Sequence, residues 1–473
     1  MNELKSAMFS DDLNVKGLRR YGVRKAGTKT LDMTEGNIVA QILMFAMPLM
    51  LGNIFQMLYN TVDSIVVGNF VGTEALAAVG ATTMIINMLV FFFNGFSVGA
   101  GVVIGTYFGA KDMERLHVAT ETTIASTFVI SVIFTIIGVL GVTPMLNFMS
   151  TPEDVMGEAT LYLRVYFAGI SGLLIYNIGS GILRAVGDTT RPLYFLILTS
   201  LLNIVLDLVF VIMFGMGIMG VALATIISQF ISAFLTLRLL TTTDEIYKLT
   251  WHDLRIEKAT LKRIMFVGLP AGVQSVITAF SNVFVQAYIN FFGSSCMAGW
   301  SCYNKIDQFI MLPMQSMAMA STTFVSQNVG AQKIKRANEG TNIAIGLILS
   351  ITGVIATCIW VFAAQSVRLF TSDQSVIEYG VLFLRTNVYF LMFNCINHVL
   401  AGALRGRGDS KGPMIIMLLT FVAVRQIYLF IITHFVSNTP ALVALGYPVG
   451  WMSCCIVEVI YFIKKWNGNI LKK

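Results

Sequence analysis

The feature that most constrains this chain is a rhythm. Apolar stretches of about 20 residues, the length a helix needs to cross the hydrocarbon core of a bilayer, return twelve times between loops that gather most of the charge. They lie near 38–67, 78–106, 120–143, 160–182, 193–214 and 217–238, then near 264–292, 297–325, 341–364, 379–402, 413–435 and 442–463. We number them spans 1 to 12. None alternates with period two, which removes a transmembrane β-barrel. Only 12% of the residues are charged, against about 25% in soluble domains, so polar surface is too scarce to cover a water-soluble fold. A cytosolic enzyme, a disordered chain and a nucleic-acid binder are excluded on that ground. The expectation is an all-α polytopic membrane protein with the lipid bilayer as its solvent.

Placing the charges orients the spans. Of 32 lysines and arginines, 27 fall before span 1, after span 12, or in the loops 2/3, 4/5, 6/7, 8/9 and 10/11. The opposite loops carry mainly acids, among them Glu74, Glu153, Asp154 and Asp373. Basic loops mark the cytoplasmic side, so both termini are expected in the cytoplasm, with polar tails at 1–37 and 465–473. The net charge of +7 therefore reads as topology and gives no evidence of an acidic partner. Six cysteines sit in apolar stretches without paired spacing, and four histidines are scattered, so neither disulfides nor a metal site is expected.

The chain repeats itself. Gly181, Leu183, Arg184, Gly187 and Asp188 recur 221 residues later as Gly402, Leu404, Arg405, Gly408 and Asp409, and Gly109-Ala110 recurs as Gly330-Ala331. Pro48 and Asn60 have counterparts 222 residues on, at Pro270 and Asn282. Two six-helix lobes follow, 38–238 and 264–464, joined by a polar linker at 239–263. Because six is even, the lobes are parallel repeats about an axis along the membrane normal, an architecture of secondary transporters.

Ionisable groups inside the spans carry the functional reading, since a mid-membrane carboxylate costs about 2.5–3.5 kcal/mol on insertion scales. Asp63 lies fifteen residues beyond Pro48 in span 1. Asn203 and Asp207 are four apart in span 5 and share a helix face. Two carboxylates from different helices in one pocket would titrate as a unit, able to exchange a proton or to hold Na⁺ through oxygen ligands. By the repeat offsets, Asp63 falls opposite Val285 and Asp207 opposite Tyr428, so the lobes match in fold and differ in chemistry. Lys305 and Asp307 in span 8 and Arg425 in span 11 either pair across helices or face a central cavity. Arg184 with Asp188 and Arg405 with Asp409 read as latches at helix corners. Methionines 311, 314, 317 and 319 suit a cavity that accepts varied apolar shapes.

The paired glycine-leucine-arginine corners, the Gly-Ala elements and the six-plus-six repeat resemble the MATE (multidrug and toxic compound extrusion) transporters, over nearly all of 36–464. The resemblance implies a V-shaped pair of bundles that acts as a monomer in a prokaryotic inner membrane. It implies export of amphipathic, cationic or aromatic drug-like compounds in exchange for H⁺ or Na⁺, without a cofactor. No GxxxxGK[ST] loop is present, in keeping with an ion gradient rather than ATP as the energy source. In the DinF-like branch the first lobe holds a cation on residues matching Asp63, Asn203, Asp207 and Thr225, and Gln56, Tyr162 and Asn177 match positions lining that lobe's cavity. Na⁺ at Asp63 and Asp207 would be the one metal expected. The resemblance also makes Pro48 a hinge that bends span 1 when Asp63 is protonated. The NorM-like branch has a span-7 glutamate; here span 7 offers Gln274 and Gln286 instead. A lipid-linked oligosaccharide flippase of the same superfamily would want more cavity cations than Lys305 and Arg425. A membrane-embedded transferase would want a histidine, acidic or metal cluster that the sequence lacks.

Overall fold

The computed structural model describes residues 30–467. Most of both expected tails, at 1–29 and 468–473, lies outside the described residues. In a bilayer core, backbone amides can be satisfied within a helix and nowhere in an exposed loop, and every expected span is helical. Ten helices among the described residues are long and apolar enough to cross a membrane; the pair Glu153–Ala168 and Ile170–Ala185 makes an eleventh, bent by 50°. The twelfth, Ser294–Gly330, has 37 residues but is more polar, because Asn304, Lys305, Asp307 and Gln308 fall together in it.

Several spans depart from straight helices. Span 4 was expected unbroken over 160–182; it breaks at Gly169, where an added side chain would run into Ile226 of span 6. Span 1 (Ile38–Val66) carries Pro48 internally, starts at Asn37, whose side chain accepts from Ala40 N–H, and ends in a π-helical segment Val67–Val71. Span 5 is Thr190–Leu208 with a π-helical end, Val209–Met213. Span 11 has two such segments, Leu418–Val424 and Ile432–Val436, flanking Arg425–Ile431.

Each lobe has its own core. In the first, Phe93, Leu163, Phe167 and Leu174 pack with Val221 and Ala222. In the second, Trp300 meets Phe383 edge-on at 4.9 Å and Tyr303 at 4.8 Å, with Tyr447 and Trp451 in the same cluster. The linker between the spans is 243–257, because span 6 runs to Thr242 and span 7 starts at Lys258, and it holds one short 3-10 turn, Trp251–Asp253. It docks on span 3 through Trp251 against Phe128 and Glu257 N–H donating to Thr122 Oγ1 at 3.1 Å.

The repeated motifs are corners on the face of the molecule that carries the basic loops (the basic face). Gly187 and Gly408 adopt φ +87° and +81°, left-handed conformations that glycine enters without penalty. Asp188 N–H and Asp409 N–H reach back to the carbonyls of Leu183 and Leu404, both at 2.9 Å, closing the preceding helices. Asp409 then ties span 12 to this corner: Tyr461 Oη and Lys465 Nζ donate to Oδ2 at 2.8 and 2.6 Å, and Gly412 N–H to Oδ1 at 3.1 Å. Burial alone would raise the Asp409 carboxyl, but these donors outweigh it and hold the group below the usual carboxylate range. A depressed value means that the latch contributes above the unfolded carboxylate pKa and is lost only as pH falls through the folded one, so it stays closed at neutral pH. Asp409→Asn is expected to cost about 1 kcal/mol, discounted for the exposed Lys465, read as a small fall in melting temperature at pH 7.

Lipid supplies little hydrophobic drive between helices, so close backbone approach through small residues has to hold the lobes together. Gly95 and Gly99 of span 2 pack against Gly268 and Gly272 of span 7, leaving no room for a side chain. Nearer the basic face the crossing is reciprocal: a side chain on Gly109 would strike the Gln327 carbonyl, and one on Gly330 would strike Thr106. Residues 31–36, expected as part of a solvated tail, are drawn into this seam. Met33 is fully buried with Met314, Met317 and Phe324; its N–H donates to Gln327 Oε1 at 2.9 Å and its carbonyl accepts from Asn328 Nδ2 at 3.1 Å. Lys333 and Arg336 donate to the carbonyls of Thr34 and Gly36 at 3.0 and 2.8 Å. Leu31 lies against Gly187 of the first lobe.

Candidate ion and substrate site

Spans 1, 5 and 6 bring Asp63, Asn203, Asp207 and Thr225 together. With its amide turned to satisfy both neighbours, Asn203 donates to Asp63 Oδ1 at 2.9 Å and accepts from Thr225 N–H at 3.3 Å. Asp63 and Asp207 are electrostatic neighbours. Asp207 is fully buried, and neither of its oxygens receives a bond from a donor. Among the described residues, every ion pair lies elsewhere. Two adjacent carboxylates with no fixed cation cannot both stay ionised and dry at acceptable cost; a shared proton or a small hard cation on these oxygens relieves them.

The surroundings suit such an exchange. Tyr59 and Tyr162 border the two acids, and the rings of Tyr162 and Tyr166 stack at 6.3 Å. A narrow cleft runs beside Asn203, lined by Tyr59, Tyr176, Thr199, Ser200, Thr225 and Ser228 among others. Gln56 is exposed on span 1. Asn177 joins a different network, where its carbonyl accepts from Ser97 Oγ at 3.1 Å close to Arg184. The cleft's lining was largely unmarked in the reading of the sequence, although Thr225, Ser228, Gln229 and Ser232 recur at helical spacing and form a polar stripe on span 6. Pro48 sits about 22 Å from Asp63 along the helix axis.

In the second lobe, Lys305 is exposed, with its ammonium 5.5 Å from the Phe370 ring. Asp307 borders Tyr303, and one of its oxygens is buried without a donor. Arg425 is only 1% exposed, so it meets no solute in this conformation. Its guanidinium lies over the rings of Tyr447 and Phe421, at 4.6 and 5.1 Å. Among the described residues no group of three histidine, cysteine, aspartate or glutamate side chains is placed to hold a metal ion.

Comparison with known proteins gives the family. The model described as MatE matches twice, at residues 48–209 and 270–431. The chain belongs to the MatE family. It is similar to the Probable multidrug resistance protein YoeA of Bacillus subtilis (strain 168), 28% identical over 434 residues, 90% of this chain and 93% of the relative. It is equally similar to the Probable multidrug resistance protein YpnP of the same organism, 28% identical over 442 residues and covering 93% and 98%. A structure described as the outward-facing conformation of a multidrug resistance MATE family transporter of the MOP superfamily superposes with a TM-score of 0.88 at 25% identity, over 94% of this chain and 99% of that one. This MatE protein is therefore a secondary transporter that moves small molecules across a membrane, and not an enzyme.

The two matches also sharpen the internal repeat. Both their first and their last residues are 222 apart, whereas Pro192 and Pro413, at the starts of spans 5 and 11, are 221 apart. The extra residue is absorbed by the π-helical segment Leu418–Val424, where span 5 is plain α-helix. The counterpart of Asp207 is then Leu429 and not Tyr428, and the counterpart of Asn203 is Arg425. Burial agrees: Asn203, Asp207, Arg425 and Leu429 are all sealed, while Val424 is 37% exposed.

Proposed function

We propose that this transporter exports amphipathic, cationic or aromatic compounds in exchange for H⁺ or Na⁺, with Asp63 and Asp207 as the ion-loading pair, Asn203 and Thr225 as their partners and Pro48 as the hinge of span 1. The observation that carries the reading is the meeting of two membrane-embedded carboxylates at one amide with, among the described residues, no basic side chain paired to either. An ion drives a conformational change only through different affinity for the two states, and an unneutralised carboxylate pair provides that difference. The cleft beside it, with Gln56 and Tyr162, takes part in substrate passage, as do Asn177, Lys305 and Asp307. The multidrug names of the relatives support the drug-like cargo, and the placement of the acids in the first lobe supports the DinF-like branch. With the basic face in the cytoplasm, the inter-lobe seam closes the cytoplasmic side and the cargo leaves outward from a monomer in a prokaryotic inner membrane.

The flippase alternative is less well supported, because a pyrophosphate headgroup needs accessible cations and Arg425 is sealed. The deciding experiment is uptake of a fluorescent cationic dye in proteoliposomes under an imposed pH gradient and, separately, an imposed Na⁺ gradient. One of the two is expected to drive the dye against its own gradient. Equal, gradient-independent fluxes would overturn the antiport reading.

A further inference from the structure

The first lobe offers two carboxylates around an amide and no fixed cation. At the matching place in the second lobe both carboxylates are gone: Val285 stands for Asp63 and Leu429 for Asp207, each fully buried, and Arg425 stands for the amide. We propose that Arg425 is a tethered cation that permanently fills the second lobe's counterpart of the ion site, so that coupling ions load the first lobe alone. This rests on the reading of Asp63 and Asp207 as the ion site.

The geometry is that of an occupied cation site. Arg425 Nη1 donates to Asn282 Oδ1 at 2.9 Å and to Ser281 Oγ at 3.3 Å. These two residues correspond to Asn60 and Tyr59 in span 1, and Tyr59 lines the first-lobe cleft. The guanidinium thus spans from span 11 to span 7, as Asn203 spans from span 5 to span 1. The faces of Tyr447 and Phe421 offer the guanidinium the negative potential of their ring quadrupoles, where the other lobe offers carboxylates. Gly450 makes space on the remaining side, where a side chain would approach the guanidinium to 3.1 Å. Asp307 is in the neighbourhood, bordering Tyr303 and Tyr447, yet among the described residues it forms no ion pair with Arg425. A mobile cation entering here would meet a fixed like charge where the first lobe offers two carboxylates.

The consequence is a division of labour. Spans 7, 11 and 12 are held at all times by a charge that cannot leave, while spans 1, 5 and 6 are held only while an exchangeable ion is bound. The second lobe serves as the fixed half of the machine and the first as its moving half.

The test removes the tether and offers a free replacement. Full-length Arg425→Ala, purified in detergent, is melted alone and with guanidinium chloride or urea at about 10 mM, far below the molar concentrations that denature. The expected result is a melting temperature several degrees below wild type, recovered with guanidinium and not with urea, its uncharged analogue. Equal recovery with urea, or no recovery with guanidinium, overturns the proposal. Should the alanine variant not fold, Arg425→Lys is expected to melt above Arg425→Gln, and the reverse order or a tie overturns it. Ion-induced stabilisation, titrated with Na⁺ and with acid, is expected to vanish in an Asp63→Asn, Asp207→Asn double variant; a remaining shift would place a second ion site elsewhere. Guanidinium recovery is read without transport, so it stands or falls separately from the role of the two aspartates.

Discussion

Asp63→Asn is expected to reduce gradient-driven export in proteoliposomes to the leak level while the protein still folds. The amide is nearly isosteric and keeps an oxygen for Asn203 Nδ2, which now donates to Asp63 Oδ1. What disappears is the titrating, ion-binding oxygen pair. Moving a two-state protein from 1:99 to 99:1 takes a differential affinity of about 5.5 kcal/mol, and the proposal assigns that task to the Asp63 and Asp207 pair. Asp207→Asn gives the more telling version. Both oxygens of Asp207 are buried without a donor, and an amide in their place could donate to Asp63. Melting temperature is therefore expected to hold or rise as transport falls, since relieving a strained functional group stabilises a protein at the expense of activity. Full gradient-driven export by either variant would sink the ion-site reading.

The second large effect is expected at the seam. In Gly99→Leu, the new side chain would meet the carbonyl of Ile264 and the backbone of Gly268, which cannot rotate away as a side chain could. Overpacking of this kind costs about 1–3 kcal/mol or more, and each 1.4 kcal/mol is tenfold in an equilibrium. The ratio of closed to open at the basic face should fall by about ten- to a hundredfold. Spin-label distances between spans 2 and 7 at that face are expected to lengthen; an unchanged distribution would show that the glycine contact does not set the closed state.

Much of this could be read along the chain, and the exceptions have physical causes. All twelve spans were visible because lipid permits few alternatives to an apolar helix. Asp63, Asn203, Asp207 and Thr225 were legible as a set through spacing and resemblance, and the structure brings them within reach of one another. The break at Gly169 was not legible, because it depends on Ile226 arriving from another helix. The burial of Met33 was hidden by its polar neighbours, whose backbone carbonyls accept from Lys333 and Arg336. Pairing Asp207 with Tyr428 failed by one residue, since counting along the sequence cannot register a π-helical turn.

The wedge of residues 31–36 has a practical side. Its carbonyls are gripped by the second lobe while Leu31 leans on a corner of the first. Residues 31–36 therefore belong to the fastening between the two halves. A bulky fusion there would act as a lever on the transport cycle, and a label meant to be silent belongs at the other end of the chain.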